Sequence, residues 1–337
     1  MRHAVVEASA HGVPWNGPET GPPGYPGATV AIISEDLRNG GILGVANGIR
    51  EAAREIGWTV KIYDAGGTPG GRSKAISAAL ALRPDGVILV GVDAEQIQPL
   101  LMPVAERRVP IVGWHVGPFA GAISDGPVAM NVSTNPQDVA RITAMAAVLD
   151  SKGDAGFVLF TDSNFAIAKA KSDVMAEVVK ACASCNLLEV RDIAISKSAE
   201  LMPAVTEDLL ARYDTRWTHA LAINDIYFDY AASELTKAGR PSDGISMLSA
   251  GDGSAAAFLR ILAGTFQTAT VAEPLNLQGW QLVDELNRLL AQQPVTGFVI
   301  PIHLVTAENI AFDGGADMRY DPDNGYRDVY RRIWKAR

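Results

Sequence analysis

The chain has 337 residues, enough for two domains at roughly 100–200 residues each. Hydrophobic residues make up 48% and charged residues 20%, which excludes extensive disorder. The formal net charge of -9 argues against nucleic acid or an anionic membrane surface as partner, and no stretch approaches the roughly 18 consecutive apolar residues of a membrane span.

Residues 1–7 carry a basic residue, but the apolar run after it is too short for a signal peptide. An exported protein would therefore have lost its signal or carry it outside this sequence. Residues 7–27 are rich in Gly and Pro, which excludes a regular helix or a central strand there. This leader is expected to lie on the surface or be disordered, with Trp15 either anchoring it in a groove or touching nothing.

From Ala28 the pattern changes. Short β-branched runs at 29–34, 59–63, 86–90 and 110–113 read as buried parallel strands, and apolar residues at helical spacing read as helices at 42–56, 73–82 and 94–106. The alternation restarts with strands at 155–160, 187–193, 218–223, 245–249 and 268–273. Helices fall at 166–180, 199–213, 226–238 and 255–263. Such alternation implies an α/β chain of two doubly wound parallel sheets with right-handed crossovers.

Cys182 and Cys185, the two cysteines of the chain, sit where a helix closes. A local disulfide, free buried thiols, a redox pair and half of a zinc site are all compatible with that spacing. The redox reading needs the opposite helix end, and zinc lacks further paired ligands. The tail from Asp313 to Gly325 is acidic, but it lacks the spacing and terminal Glu of an EF-hand, so acidic turns are expected rather than a calcium loop.

Ligands of open α/β sheets bind beyond the carboxyl ends of the strands. Nearly every such end here carries an amide, a carboxylate or a ring: Ser34 to Asn39, Asp93, Trp114 with His115, Thr161 to Phe165, Asn224 with Asp225, Asp252 and Glu273. A sugar or polyol needs that many partners, because each buried hydroxyl left unpaired costs about 1–3 kcal/mol. An aromatic face such as Trp114 would cover the C–H side of a pyranose. Any one of these residues is more simply an N-cap; their recurrence in both units carries the reading.

In segments 30–34, 222–225, 249–253 and 269–274 the chain resembles the type I periplasmic substrate-binding proteins, the ribose- and galactose-binding group of sugar importers. The resemblance covers about residues 28–305. It implies ligand contacts at Ser34, Arg38, Asn39, Asp93, His115, Phe165, Lys171, Asn224, Asp252 and Glu273. Gly40-Gly41, His115-Val116, Lys171 and Glu273 depart from the family's usual residues, so sugar identity does not carry over.

The resemblance further implies three crossings between domains, near 131–135, 273–274 and 302–305. The domains would be 28–132 with 274–302, and 133–273 with 303–337, after a leader at 1–27. It implies a periplasmic monomer that takes a small neutral carbohydrate or polyol into an interdomain cleft by hinge closure. The solute would pass to the membrane permease of an ABC importer, with no cofactor and no catalysis. Ligand sensing for chemotaxis or signalling is an alternative, as is the effector-binding core of a sugar-responsive regulator, although residues 1–27 cannot form a helix-turn-helix. A doubly wound enzyme is disfavoured. No G-x-G-x-x-G follows the first strand, no G-x-S-x-G is present, and the histidines are scattered.

Overall fold

The computed structural model describes residues 1–151 and 155–335. It divides into two compact units: Gly12–Asn135 with Pro274–Pro301 and Asp321–Arg337, here the first unit, and Met1–His11 with Pro136–Glu273 and Ile302–Tyr320, the second. After α1 (Arg2–Ala8), the chain runs β1 (Thr29–Ser34), α2 (Gly40–Ile56), β2 (Thr59–Asp64), α3 (Pro69–Ala81), β3 (Gly86–Val90), α4 (Gln98–Glu106), β4 (Ile111–Trp114), β5 (Gly121–Ala122) and β6 (Val128–Val132). It continues through α5 (Pro136–Asp150), β7 (Ala155–Thr161), α6 (Ala166–Lys180), β8 (Cys185–Asp192), α7 (Ser198–Tyr213), β9 (His219–Ala222), α8 (Ile226–Lys237), β10 (Ser246–Ser249), α9 (Ala255–Ala263) and β11 (Gln267–Val271). It ends with α10 (Leu275–Leu290), β12 (Leu304–Thr306) and α11 (Tyr326–Lys335). Among the described residues no helix is long and apolar enough to cross a membrane.

Each unit holds a six-stranded sheet, ordered β2-β1-β3-β4-β6-β5 in the first and β12-β11-β10-β9-β7-β8 in the second. All pairings are parallel except those of β5 with β6 and β11 with β12. The unbroken apolar runs of β3 and β7 are buried along their whole length, as both faces of a helix-covered sheet require. The outer strand β2 alternates exposed and half-buried residues. Asn39 opens α2 by accepting from the Gly41 and Ile42 amides, and Gly57 closes it in the left-handed region at φ 82°.

The sequence reading assigned no helix at α10, in which nearly every residue is buried, including Gln278, Gln281, Asp284, Glu285 and Asn287. It meets α2 backbone to backbone. A Cβ on Gly279 would lie 2.5 Å from the Gly48 carbonyl carbon, and one on Gly48 would lie 2.8 Å from the Asn276 Cα. Several buried polar groups of α10 are met by chain laid over it. Asn287 Nδ2 donates to the Pro22 and Pro23 carbonyls, Arg288 Nη2 to the Thr20 carbonyl at 2.6 Å, and the Tyr25 amide to Asn287 Oδ1 at 2.8 Å. The leader is therefore neither loose nor free of the core. Trp15 packs edge-on against Phe298 and Tyr330.

Two further segments depart from the sequence reading. Residues 1–11 belong to the second unit, where α1 packs on α5 through Ala8. Residues 321–337, expected with the carboxy-terminal domain, belong to the first unit instead. The reason is the apolar face of α11: Tyr326, Tyr330, Ile333 and Trp334 are buried, and Trp334 stacks on Trp280 at 5.4 Å while its Nε1 donates to Asp284. The chain thus passes between units after His11 and Tyr320 as well as after Asn135, Glu273 and Pro301.

A disulfide joins Cys182 and Cys185 in the turn from α6 to β8. In the acidic tail, Asp313 pairs with His11 Nδ1 at 2.7 Å and with His303 Nε2 at 2.9 Å, and Asp321 accepts from Tyr326 and Arg327.

Replacing Gly279 with Ala is expected to destabilise the protein by about 1–3 kcal/mol, since backbone must yield to the new methyl. Thermal denaturation should fall by roughly 2–12 °C. Gly70→Ala, in open space at the start of α3, should leave it unchanged.

Burial holds the His303 imidazole below the usual histidine range, against the opposing pull of Asp313. The folded chain therefore binds fewer protons at this site than the unfolded one. Its contribution to stability is full above the ordinary pKa of 6.5 and is lost as pH falls below it. Melting curves at about pH 7.5 and pH 5.5 should show a fall in stability that is smaller in His303→Gln than in the parent.

Candidate functional site

Both sheets reverse direction at their first strand. From β1 the chain winds outward to β2 and then back past it to β3; from β7 it winds to β8 and back to β9. Loops leave such neighbours in opposite directions, which opens a crevice at the carboxyl end of each sheet. Two backbone bonds carry the pairing just beyond the strands there: the Glu35 amide donates to the Val90 carbonyl at 2.9 Å, and the Ile223 amide to that of Phe160 at 3.2 Å.

The last residues of the two switch-point strands are Ser34 and Thr161. Both hydroxyl oxygens are buried and have no hydrogen-bond partner among the described residues. A buried hydroxyl so placed carries a desolvation penalty of about 1–3 kcal/mol. The penalty recurs at the same place in two independent sheets.

In the first unit, loop residues surround Ser34. Glu35 accepts bidentately from Arg72 of α3, Nε at 2.8 Å and Nη2 at 2.6 Å, and both side chains are largely buried. Arg38 curls back to the Asp36 carboxylate, with Nη2 at 2.6 Å, and its side chain is mostly exposed. Asn39 serves as the cap of α2, and Asp93 Oδ1 accepts from the Glu95 and Gln96 amides in a cap-like turn.

Trp114 does not offer the free face expected of it. Its ring lies in the core, Nε1 donates to Gln278 Oε1 at 2.8 Å, and the His115 ring covers one side at a centroid distance of 3.7 Å. His115 stands in the left-handed region at φ 52°, where non-glycine residues are held only by their surroundings. Those surroundings include Asn131, which accepts from the Val116 amide and donates to the Gly117 and Phe119 carbonyls.

In the second unit, the expected residues gather more closely. Asn224 Nδ2 donates to Asp252 Oδ2 at 2.7 Å while its Oδ1 accepts from the Ile226 amide. The Glu273 amide donates to the Asp252 carbonyl at 3.0 Å, and all three residues are buried. Lys171 comes from α6, and its Nζ donates to the Ala250 carbonyl at 2.6 Å. Phe165 stands at the N-cap position of α6, half-buried. The loop before it is held by Asp162, which accepts from Asn164 and from the Ile195 amide.

Sequence reasoning counted Glu35, Thr161, Asp162 and Asp225 among the polar strand ends without assigning them a contact, and passed over Arg72 and Asn131. Asp225, beside Asn224, was the most accessible: an acidic residue directly after a buried strand needs several donors, and it has them. Arg72, on an unremarkable helix, carried no signal.

If Trp114 is a core residue, Trp114→Phe removes one buried hydrogen bond, and unfolding measurements should show a loss of about 1–3 kcal/mol. A sugar-stacking role would place the effect on affinity instead.

The family model described as a periplasmic binding protein domain matches residues 30–294. No curated protein matches the chain. Among solved structures, an ABC sugar transporter subunit from Rhodobacter sphaeroides is 22% identical with a TM-score of 0.71, covering 84% of this chain and 99% of its own. An ABC transporter solute-binding protein from Agrobacterium vitis bound with α-D-tagatopyranose is 15% identical at a TM-score of 0.76, covering 87% and 99%. A second from Agrobacterium vitis, with bound allitol, is 18% identical at 0.71, covering 85% and 97%. At these identities the likeness is one of fold.

Proposed function

Because the chain belongs to the periplasmic binding protein family, a family of solute receptors rather than enzymes, we propose that it captures a monosaccharide or sugar alcohol with the strand-end residues of both units. Closure of the units on the solute and delivery to the permease of an ABC importer complete the reading, with the protein acting in the periplasm as a monomer. The observation that carries it is the pair of buried hydroxyls, Ser34 Oγ and Thr161 Oγ1, at equivalent switch points with no partner among the described residues.

The charges favour a neutral, hydroxyl-rich solute. The cations at these strand ends are committed: Arg38 to Asp36, Arg72 to Glu35, and Lys171 to a carbonyl. An anionic solute would have to displace one of them. Asp252 and Glu273 offer carboxylate oxygens, and hydrogen bonds from hydroxyls to charged acceptors contribute about 1.5–3 kcal/mol each. Ser34, Asn39, Asp93, His115, Thr161, Phe165, Asn224, Asp252 and Glu273 are the contacts assigned to the solute. The tagatopyranose and allitol held by the two Agrobacterium vitis proteins fall in the same chemical class.

A thermal-shift panel of monosaccharides, sugar alcohols and inositols, followed by calorimetric titration of the best binder, tests the reading. One-to-one binding is expected. Asn224→Ala and Asp252→Ala should each weaken it roughly 10- to 100-fold, as loss of one charge-assisted bond requires. A panel without any binder removes the sugar reading; unchanged affinity in both variants removes the site.

A further inference from the structure

The Ala250–Ser254 loop carries Asp252 and is gripped at both ends by buried ions of opposite sign. At its start, the Lys171 ammonium, 3% exposed, donates to the Ala250 carbonyl at 2.6 Å. At its end, one oxygen of the fully buried Asp225 carboxylate accepts from the Gly253 amide at 2.8 Å and the Ser254 amide at 2.9 Å. Each ion meets the end of the peptide dipole that it attracts: the cation meets a carbonyl oxygen, the anion meets amide hydrogens.

Both ions are themselves fixed. The other Asp225 oxygen accepts from Ser249 Oγ and from Gln267 Nε2 at 2.8 Å; with its one proton so used, Ser249 Oγ accepts from the Thr270 hydroxyl 3.0 Å away. Lys171 issues from the middle of α6. A side chain at either glycine of the loop would be strained and crowded. Gly251 stands at φ 109° with a Cβ position 3.2 Å from Lys171 Nζ, and Gly253 at φ 79° with one 2.8 Å from the Ala272 Cβ.

We propose that Lys171 and Asp225 are positioning residues that together hold this loop in one shape and so aim the Asp252 carboxylate. They govern solute affinity through Asp252. The reading deepens the proposed function and, for its effect on affinity, rests on it. It assigns Lys171, expected from the family resemblance as a ligand contact, to the support of the loop.

Amide hydrogen exchange on the whole protein tests the clamp without any solute. Asp225→Asn should speed exchange at Gly253 and Ser254 at least tenfold, and Lys171→Met should do so more weakly. Exchange in β7, in the same unit, should stay as in the parent. Two variants at opposite ends of the loop keep the test readable if one of them fails to fold. In parallel, affinity for the tightest binder among D-tagatose, allitol, L-arabinose and D-galactose should fall at least tenfold in each variant. Lys171→Arg, which retains a donor, should recover part of that loss. Unchanged exchange at both amides in both variants overturns the clamp, whatever the affinities. Faster exchange with no member of the set bound by the parent leaves the clamp standing and overturns the sugar reading instead.

Discussion

The backbone contact between Gly48 of α2 and Gly279 of α10 is the constraint on which the first unit is built. With a side chain at either position the helices could not approach so closely. Because they do, α10 sinks into the unit until even its amides and carboxylates are buried, and each of those groups then needs a partner. Asp284 and Glu285 find partners nearby in Arg288 and Thr296, but others come from chain far away in sequence: the Gly/Pro leader, where prolines prevent a regular ladder, and α11, whose indole reaches Asp284. One close helix contact thus explains why both ends of the chain are needed to finish a unit whose sheet is complete by residue 132.

The second unit solves a different problem. The loop that carries Asp252 is short, glycine-rich and without regular structure. Buried ions meet it at both ends. Asp225 has several donors and Lys171 a carbonyl, so neither charge is left bare in the interior. The first unit uses the same device at Glu35 and Arg72, where a bidentate pair ties the loop after β1 to α3. In both units charge is used to fix loops, while the Ser34 and Thr161 hydroxyls at the strand ends have no hydrogen-bond partner among the described residues.

Much of this was legible in the sequence. The β-branched runs and helical spacings located most strands and helices of both sheets, because periodicity is local and each element buries its face wherever it is placed. The strand-end rule then led to Ser34, Asn224, Asp252 and Glu273, which follow directly from strand positions. The elements that the sequence reading did not locate share one property, that their stability is not local. Helix α10, in a segment correctly expected with the first domain, buries its polar face as well as its apolar one, α11 is short and charged, and α1 gains its place by packing on α5.

By itself, then, the sequence determined the fold class, the doubled winding and the strand ends where a solute would be met. The tertiary structure decided the directions of side chains. Whether Trp114 faces solvent or Gln278, and whether Lys171 reaches a solute or the Ala250 carbonyl, depends on residues 164 and 79 positions away. No local pattern encodes such pairs. The Asp225 network and the Gly48–Gly279 contact likewise exist only once the chain has brought distant segments together.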